Sequence, residues 1–193
     1  MSCLDPNRAF RINRPFKETS IDRQTMAEFQ KRREARTRSH FDQLNANGPL
    51  HVILIACSAS KLDHPAPAKD LYTGELFQKS KAYAEVTRHP YYILSARYGL
   101  LEPDKTITPY NFTLKTLRQR ERLAWAIRVA DSIVWHVPAG SALTILAGND
   151  YAASLESILT RKAFTINRPL KGLAIGQQQQ KLIALIREVN NGR

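Results

Sequence analysis

The sequence predicts an α/β fold: a three-layer α/β/α arrangement with a central, mostly parallel four-stranded sheet, preceded by an N-terminal helical arm. Two observations predict this fold: the alternation of two apolar patterns along the chain, and a hydrophobic content that is high enough for a packed core. Short apolar runs bounded by turn residues alternate with longer segments in which apolar residues recur three or four positions apart. Strands that alternate with helices pair in parallel and are covered by helices on both faces. Hydrophobic residues make up 43% of the chain, which is enough to form such a core.

The first element is a basic N-terminal arm and helix, predicted over residues 1–48. An extended arm leads into a helix that begins near Ser20, where a Thr-Ser-Ile-Asp sequence can cap it, and continues to about Leu44. The turn-forming sequence of residues 45–49 then ends the helix. We therefore expect residues 49–193 to form the α/β domain.

Four strands and four helices follow in alternation. Each predicted strand is a short apolar run, and each predicted helix has an apolar face at helical spacing. The predicted strands are residues 51–57, 91–95, 142–147 and 163–167, and the predicted helices are residues 74–88, 114–135, 151–160 and 176–190.

The net charge of +12 predicts a polyanionic partner. Residues 1–50 carry a net charge of +4 and residues 161–193 carry +6, whereas residues 51–112 carry only +1. A basic rim around a nearly neutral centre is typical of an enzyme that acts on DNA, although positive charge can also serve solubility alone. The residues expected to contact the DNA backbone are Arg32, Arg33, Arg36 and Lys171.

Several function classes find no support in the sequence. No apolar run reaches the roughly 20 residues of a membrane span, and the N-terminus has no signal-peptide core, so we expect a cytoplasmic protein without a membrane partner. Two cysteines, Cys3 and Cys57, form no disulfide framework. The histidines show no metal-ligand spacing, and no Walker or dinucleotide-binding loop is present, so neither a metal nor a nucleotide cofactor is predicted.

Polar loops that follow the predicted strands are the candidate site. In a parallel sheet the carboxyl ends of neighbouring strands open onto one crevice, where ligands bind. Lys61 could meet a phosphate or a leaving group, and Asp63 offers a carboxylate on a turn before a proline. The expected substrate-binding residues are Cys57, Ser58, Lys61, Tyr72, Ser95, Arg97, Tyr98, Gly99, Tyr110, Asn111, Asn149 and Tyr151.

Each of these residues also has a purely structural interpretation. The first loop can be an ordinary connection from a strand to a helix. Cys57 can be a nucleophile or, at the end of an apolar strand, inert packing. Tyr98 and Tyr110 can stack on a base or simply cover the edge of the sheet. Asn149 can hold a base edge or a water; alternatively, Asn149 or Asp150 can cap the helix that begins there.

Four sequence blocks resemble known families. They are Ala56-Cys-Ser-Ala-Ser-Lys-Leu-Asp63 with Asp70-Leu-Tyr-Thr73, then Leu94-Ser-Ala-Arg-Tyr-Gly-Leu-Leu-Glu-Pro-Asp104, then Pro109-Tyr-Asn-Phe-Thr113, and Pro169-Leu-Lys-Gly-Leu with Gly176-Gln177. Together they resemble an uncharacterised domain family of bacteria and phages. The second block is similar to the YaaA family of peroxide-stress proteins, and the first is similar to part of archaeosine synthase. The resemblance covers residues 51–187 and implies the uracil-DNA-glycosylase-like fold.

The resemblance implies a DNA glycosylase that flips a modified base out of the duplex and hydrolyses its N-glycosidic bond. The chain also resembles glycosylases that remove modified bases from phage genomes. Asp63 matches the position of a carboxylate or amide that positions water in such enzymes, and Asp63 or Asp104 is expected to stabilise the sugar cation. Two alternatives stay open: a base-modifying transferase similar to archaeosine synthase, and a non-enzymatic DNA-binding stress protein similar to YaaA.

Overall fold

The structure, a computed structural model, describes residues 20–46 and 48–192. The chain divides into two compact units, residues 1–40 and residues 41–193. A long helix, α1 (Ser20–Asn45), accounts for the described part of the first unit. The arm predicted before this helix lies outside the described residues, and the predicted helix itself is confirmed.

The described residues of the second unit form seven strands, five further helices and a 3₁₀ turn at Leu114–Thr116. The strands are β1 (His51–Ala56), β2 (Ala66–Pro67), β3 (Tyr91–Ser95), β4 (Gly99–Leu101), β5 (Thr106–Ile107), β6 (Ala142–Leu146) and β7 (Thr165–Asn167), and the helices are α2 (Ala68–Leu71), α3 (Glu75–Thr87), α4 (Gln119–His136), α5 (Asn149–Arg161) and α6 (Ile175–Asn191).

The central sheet has five strands in the order β4-β3-β1-β6-β7. The four predicted strands are all present and parallel, which confirms the mostly parallel sheet. The fifth strand, β4, was predicted as loop. It pairs antiparallel with β3, with Ser95 opposite Gly99 and Ile93 opposite Leu101. Gly99 has φ +76°, a conformation that is readily open to glycine, and it begins this returning strand.

Helices cover both faces of the sheet. Successive residues of β1 point to opposite faces, and each face contributes to its own core. Val52 and Leu54 pack in a cluster with residues of α4 and α5, whereas Ile53 and Ile55 pack in a second cluster with residues of α3 and α6. The three-layer α/β/α prediction is therefore confirmed.

The strand order predicts a crevice at the carboxyl end of β1. The chain passes from β1 to β3 on one side and later reaches β6 on the other side of β1. Where the direction of winding changes in this way, neighbouring loops separate and leave room for a ligand. This point lies between the loops that follow β1 and β6.

No helix within residues 20–46 and 48–192 combines the length and the apolar character needed to cross a bilayer.

Candidate functional site

Three buried hydroxyl groups meet at the carboxyl edge of the sheet. The Ser95 Oγ, at the end of β3, lies 2.8 Å from the Tyr110 hydroxyl and 3.3 Å from the Tyr72 hydroxyl, which donates to it. The two tyrosine hydroxyls are 3.1 Å apart. Ser95 and Tyr72 are 0% exposed and Tyr110 is 9% exposed. The three groups supply one another's hydrogen bonds, so none of them is buried without a partner.

Cys57 and Tyr151 extend this triangle across the crevice. The Tyr110 hydroxyl donates to Cys57 Sγ over 3.6 Å, and Cys57 Sγ lies 3.3 Å from the Tyr151 hydroxyl. Cys57 follows β1, and Tyr151 lies in the first turn of α5, directly after β6. The contact therefore spans the point where the winding reverses. We call Cys57, Tyr72, Ser95, Tyr110 and Tyr151 the hydroxyl–thiol network.

Backbone and tryptophan contacts hold the network in place. The indole Nε1 of Trp125 donates to the Ser95 carbonyl over 3.0 Å, and the Trp125 ring packs edge-on against Tyr151 at 5.4 Å. The backbone N–H of Tyr98 donates to Ser95 Oγ over 3.1 Å. The Gln78 side chain donates to the Tyr72 carbonyl over 2.6 Å. Both sides of the crevice are thus tied to helices that pack on the sheet.

Burial keeps the network tyrosines protonated. Desolvation raises the pKa of Tyr72 to about 12 and also raises the pKa of Tyr110 and of Tyr151. At neutral pH these three residues are hydrogen-bond donors and acceptors rather than bases. Uncharged donors of this kind can form hydrogen bonds with the polar edge of a ligand, or they can stabilise negative charge that develops on it.

Lys61 lies over the network. Its Nζ is 4.5 Å from the centre of the Tyr110 ring and 5.7 Å from that of Tyr72, both within the range of a cation–π contact. The ammonium donates to the Ala59 carbonyl over 3.1 Å. Burial lowers the pKa of Lys61. Within the described part of the chain, no carboxylate forms an ion pair with this lysine.

The loop that carries Lys61 is fixed by its own hydrogen bonds. Ser58 Oγ donates to the Ser60 carbonyl over 2.6 Å and accepts from the Gly74 N–H at 3.2 Å. A Cβ on Gly74 would lie 2.6 Å from Ser58 Cβ, so a residue without a side chain is required at this approach. Lys61 also forms an isolated antiparallel bridge with Tyr72. Ser58, a predicted ligand contact, therefore has a structural role in this loop.

Tyr98 is the exposed aromatic side chain beside the network. Its ring packs edge-on against Tyr110 at 5.4 Å, and it is 37% exposed. Its hydroxyl lies 2.9 Å from Thr108 Oγ1, which fixes the ring from the far side. The Arg97 guanidinium lies 5.7 Å from the centre of the Tyr98 ring. Asn111, the residue after Tyr110, is exposed. Tyr98 and Arg97 thus offer a flat surface and a positive charge to a ligand.

Asn149 and Lys171 already have partners in the structure. Asn149 Oδ1 accepts from Arg168 Nη2 at 2.8 Å, and Arg168 Nη1 pairs with Glu156 at 2.7 Å. Lys171 lies 3.4 Å from the same carboxylate and is 61% exposed. The residue that caps α5 is Gly148, so the interpretation of Asn149 as the helix cap is wrong.

Asp63 follows Lys61 by two residues, on an exposed part of the same loop. Its side chain is 99% exposed and accepts a hydrogen bond from the His64 ring at 2.8 Å. That hydrogen bond lowers the pKa of Asp63, so the carboxylate is ionised at neutral pH. Asp63 is therefore close in sequence to Cys57 and Lys61, but its hydrogen bond is to His64 and not to a residue of the network.

Asp104 was predicted to lie at the carboxyl edge of the sheet, and this prediction is wrong. Because β4 runs antiparallel to β3, the chain leaves Leu101 toward the amino end of β3. Asp104 lines an open cavity with Pro90 and Tyr91 there, and its carboxylate forms an ion pair with Lys69 at 2.6 Å. Asp104 belongs to the amino edge of the sheet.

The three arginines predicted to contact DNA, Arg32, Arg33 and Arg36, are exposed on α1 in the first unit. Sequence reasoning missed two residues near the crevice, Trp125 and Arg168. Trp125 was visible only as an apolar position of a helix, and Arg168 only as one of many cations. Nothing in the sequence signalled that they contact Ser95 and Asn149.

Within residues 20–46 and 48–192, no three His, Cys, Asp or Glu side chains lie together as metal ligands would.

The fold and the site define an α/β protein with an uncharged network of hydroxyl and thiol groups at the switch point of its sheet. A family model described as a family of unknown function, DUF6884, matches residues 52–184. The chain belongs to this family. No curated protein matches the chain.

Proposed function

We propose that this protein is a DNA glycosylase that removes a modified base by hydrolysis of its N-glycosidic bond. The observation that carries the proposal is the convergence of five uncharged polar side chains at the crevice, under one lysine and beside one exposed tyrosine. A nucleobase needs such a site, because it presents hydrogen-bonding edges and a flat apolar face. The net charge of +12 provides the attraction to phosphates.

The proposed mechanism begins when the target nucleotide leaves the base stack and enters the crevice. A base within a duplex cannot be reached, and an exposed aromatic side chain stabilises the extruded base by stacking. Tyr98 takes this role, and Arg97 contacts the neighbouring phosphate. The arginines of α1 contact the DNA backbone.

Bond cleavage is assigned to the network and to Asp63. As the bond between C1′ and the base nitrogen breaks, negative charge grows on the base and positive charge on the sugar. The protonated hydroxyls of Tyr110 and Tyr151 then donate to the departing base, and for Tyr110 this bond replaces its hydrogen bond to Cys57 Sγ. The ionised carboxylate of Asp63 stabilises the sugar cation and orients the water that adds to C1′. The products are the free base and an abasic site, and the proposal implies a protein of the cytoplasm.

A base-modifying transferase is the second candidate. Cys57 favours it, since a thiol that contacts two tyrosine hydroxyls in a crevice could carry a group to the base. The transferase would leave the glycosidic bond intact. Mass spectrometry of the nucleosides recovered after treatment therefore separates the two reactions.

The test uses the full-length protein and duplexes that carry a panel of modified bases. We expect alkali-labile abasic sites in at least one member of the panel. Tyr110→Phe should lower the rate about 100-fold, because a lost donor to developing negative charge costs about that much. Tyr83→Phe, a matched loss of a tyrosine hydroxyl on α3, should leave the rate unchanged.

Intact DNA across the panel would reject the glycosylase. So would equal rates for the Tyr110→Phe and Tyr83→Phe variants, because the hydroxyl–thiol network would then take no part in the reaction. Salt-sensitive binding to DNA without any reaction would favour the non-enzymatic alternative.

A further inference from the structure

We propose that the Lys61 amine attacks the C1′ aldehyde of the abasic site, so that the protein cuts the strand after it releases the base. The inference rests on the proposed function for its substrate, and it adds a second reaction at the same site. It assigns a nucleophile, whereas the hydrolysis described above requires only a water.

The position of Lys61 carries the inference. Its Nζ lies over the rings of Tyr110 and Tyr72, two members of the hydroxyl–thiol network that is proposed to receive the base. The sugar is joined to the base, so C1′ must come close to the same point. The bridge to Tyr72 and the hydrogen bond from the Leu62 N–H to the Leu71 carbonyl at 2.9 Å hold the backbone of Lys61 in this place.

The surroundings of Lys61 favour a reactive amine. Only the neutral amine is a nucleophile, and a lysine that is desolvated beside apolar groups loses its proton more readily. Partial burial lowers the pKa of Lys61, its amine lies over two tyrosine rings, and within the described residues no carboxylate pairs with it. Lys69 provides the contrast, since its hydrogen bond to Asp104 raises its pKa.

The chemistry balances without any further reactant. The amine lone pair adds to the C1′ aldehyde of the open-chain abasic sugar, and the carbinolamine loses water to form a protonated imine. A water molecule then accepts a proton from C2′, the electrons of that C–H bond form a C2′–C3′ double bond, and the 3′ phosphate leaves with the electron pair of the C3′–O bond. Hydrolysis of the remaining imine returns the lysine, so the lysine is regenerated in each cycle.

The experiment uses the full-length protein and a duplex with a preformed abasic site, so that base removal is not required. Borohydride reduces an imine to a stable amine, which links the protein to DNA. We expect a covalent complex whose linked peptide, identified by mass spectrometry, contains Lys61, and strand cleavage without alkali. Lys61→Arg keeps the positive charge but should lower both signals by about tenfold or more, because guanidinium is not a nucleophile at neutral pH.

Lys69→Arg is the matched control at the amino edge and should form the complex as the unaltered protein does. Fluorescence anisotropy with the same duplex checks that Lys61→Arg still binds DNA. Undiminished crosslinking by Lys61→Arg, or a linked peptide from another part of the chain, would overturn the assignment.

The outcome separates this inference from the proposed function. Base release from modified DNA without a trapped complex on the abasic duplex would reject the role of Lys61 and leave the glycosylase standing. A complex through Lys61 without base release from any modified duplex would support the amine chemistry and reject the glycosylase.

Discussion

The two edges of one sheet have opposite chemistry. At the carboxyl edge, the polar side chains of the network are uncharged, largely buried and bonded mainly to one another. At the amino edge, charged side chains form ion pairs whose carboxylates are exposed: Asp104 with Lys69, and Asp70 with Lys81 at 3.1 Å. An open cavity of about 650 Å³ is found there, lined in part by Glu85, Arg88 and Asp104.

The difference shows at which edge the loss of a polar side chain costs more folding stability. A buried hydroxyl that loses its partner costs about 1–3 kcal/mol, because water cannot replace the lost hydrogen bond. An exposed ion pair contributes about 0–1 kcal/mol, because water solvates each partner when the other is removed. A preorganised, water-poor set of donors is what catalysis by charge stabilisation requires. The contrast therefore favours the carboxyl edge as the functional one.

The largest effect on stability is expected for Ser95→Ala. The substitution takes a partner from the buried hydroxyls of Tyr72 and Tyr110 and from the partly buried Tyr98 N–H. We expect a loss of about 3 kcal/mol in the free energy of unfolding, measured by urea denaturation. A loss below about 0.5 kcal/mol would mean that water already satisfies these groups and that the network is not dry.

Alkaline pH should weaken the fold through the same network. Burial raises the pKa of Tyr72 from 10.0 to about 12 in the folded state, so the folded state favours the protonated form. This stabilisation is fully present below pH 10 and is lost as the pH rises toward 12. Its size is on the order of 2 kcal/mol. Urea midpoints measured across this range should fall less in Tyr72→Phe than in the unaltered protein, and equal slopes would contradict the assignment.

The smallest effect is expected at the amino edge and serves as the control for Ser95→Ala. Asp104→Asn removes an exposed carboxylate whose partner, Lys69, can be solvated instead. The free energy of unfolding should change by no more than about 0.5 kcal/mol. A cost as large as that of Ser95→Ala would remove the contrast between the edges.

The regular part of the fold could be predicted from the sequence because local patterns determine it. The strand predicted over residues 91–95 is β3 without any change of boundary, and the other parallel strands lie within two residues of their predicted ends. The strand β4 could not be found in this way. It has three residues, and its pairing depends on a turn that brings Gly99 opposite Ser95. The predicted helix over 114–135 is divided into a 3₁₀ turn and α4, a difference of local capping.

The sequence named each residue of the hydroxyl–thiol network as a candidate, but it could not show which of their side chains contact one another. Apolar strands that end in polar loops indicated the carboxyl edge, where Cys57, Ser95 and Tyr151 are found. Tyr72 and Tyr110 come from segments outside the sheet, so only the tertiary structure shows that their hydroxyls meet at Ser95. Asp104 was misplaced because the unpredicted β4 carries the chain to the opposite edge.

The most direct test of the claim that the carboxyl edge is the functional one compares two aspartates in the base-release assay. Asp63→Asn removes the carboxylate on the Lys61 loop, and Asp104→Asn removes the carboxylate at the amino edge. The account predicts that Asp63→Asn lowers base release by about 100-fold or more, whereas Asp104→Asn stays within about twofold of the unaltered protein. A greater loss for Asp104→Asn than for Asp63→Asn would contradict it.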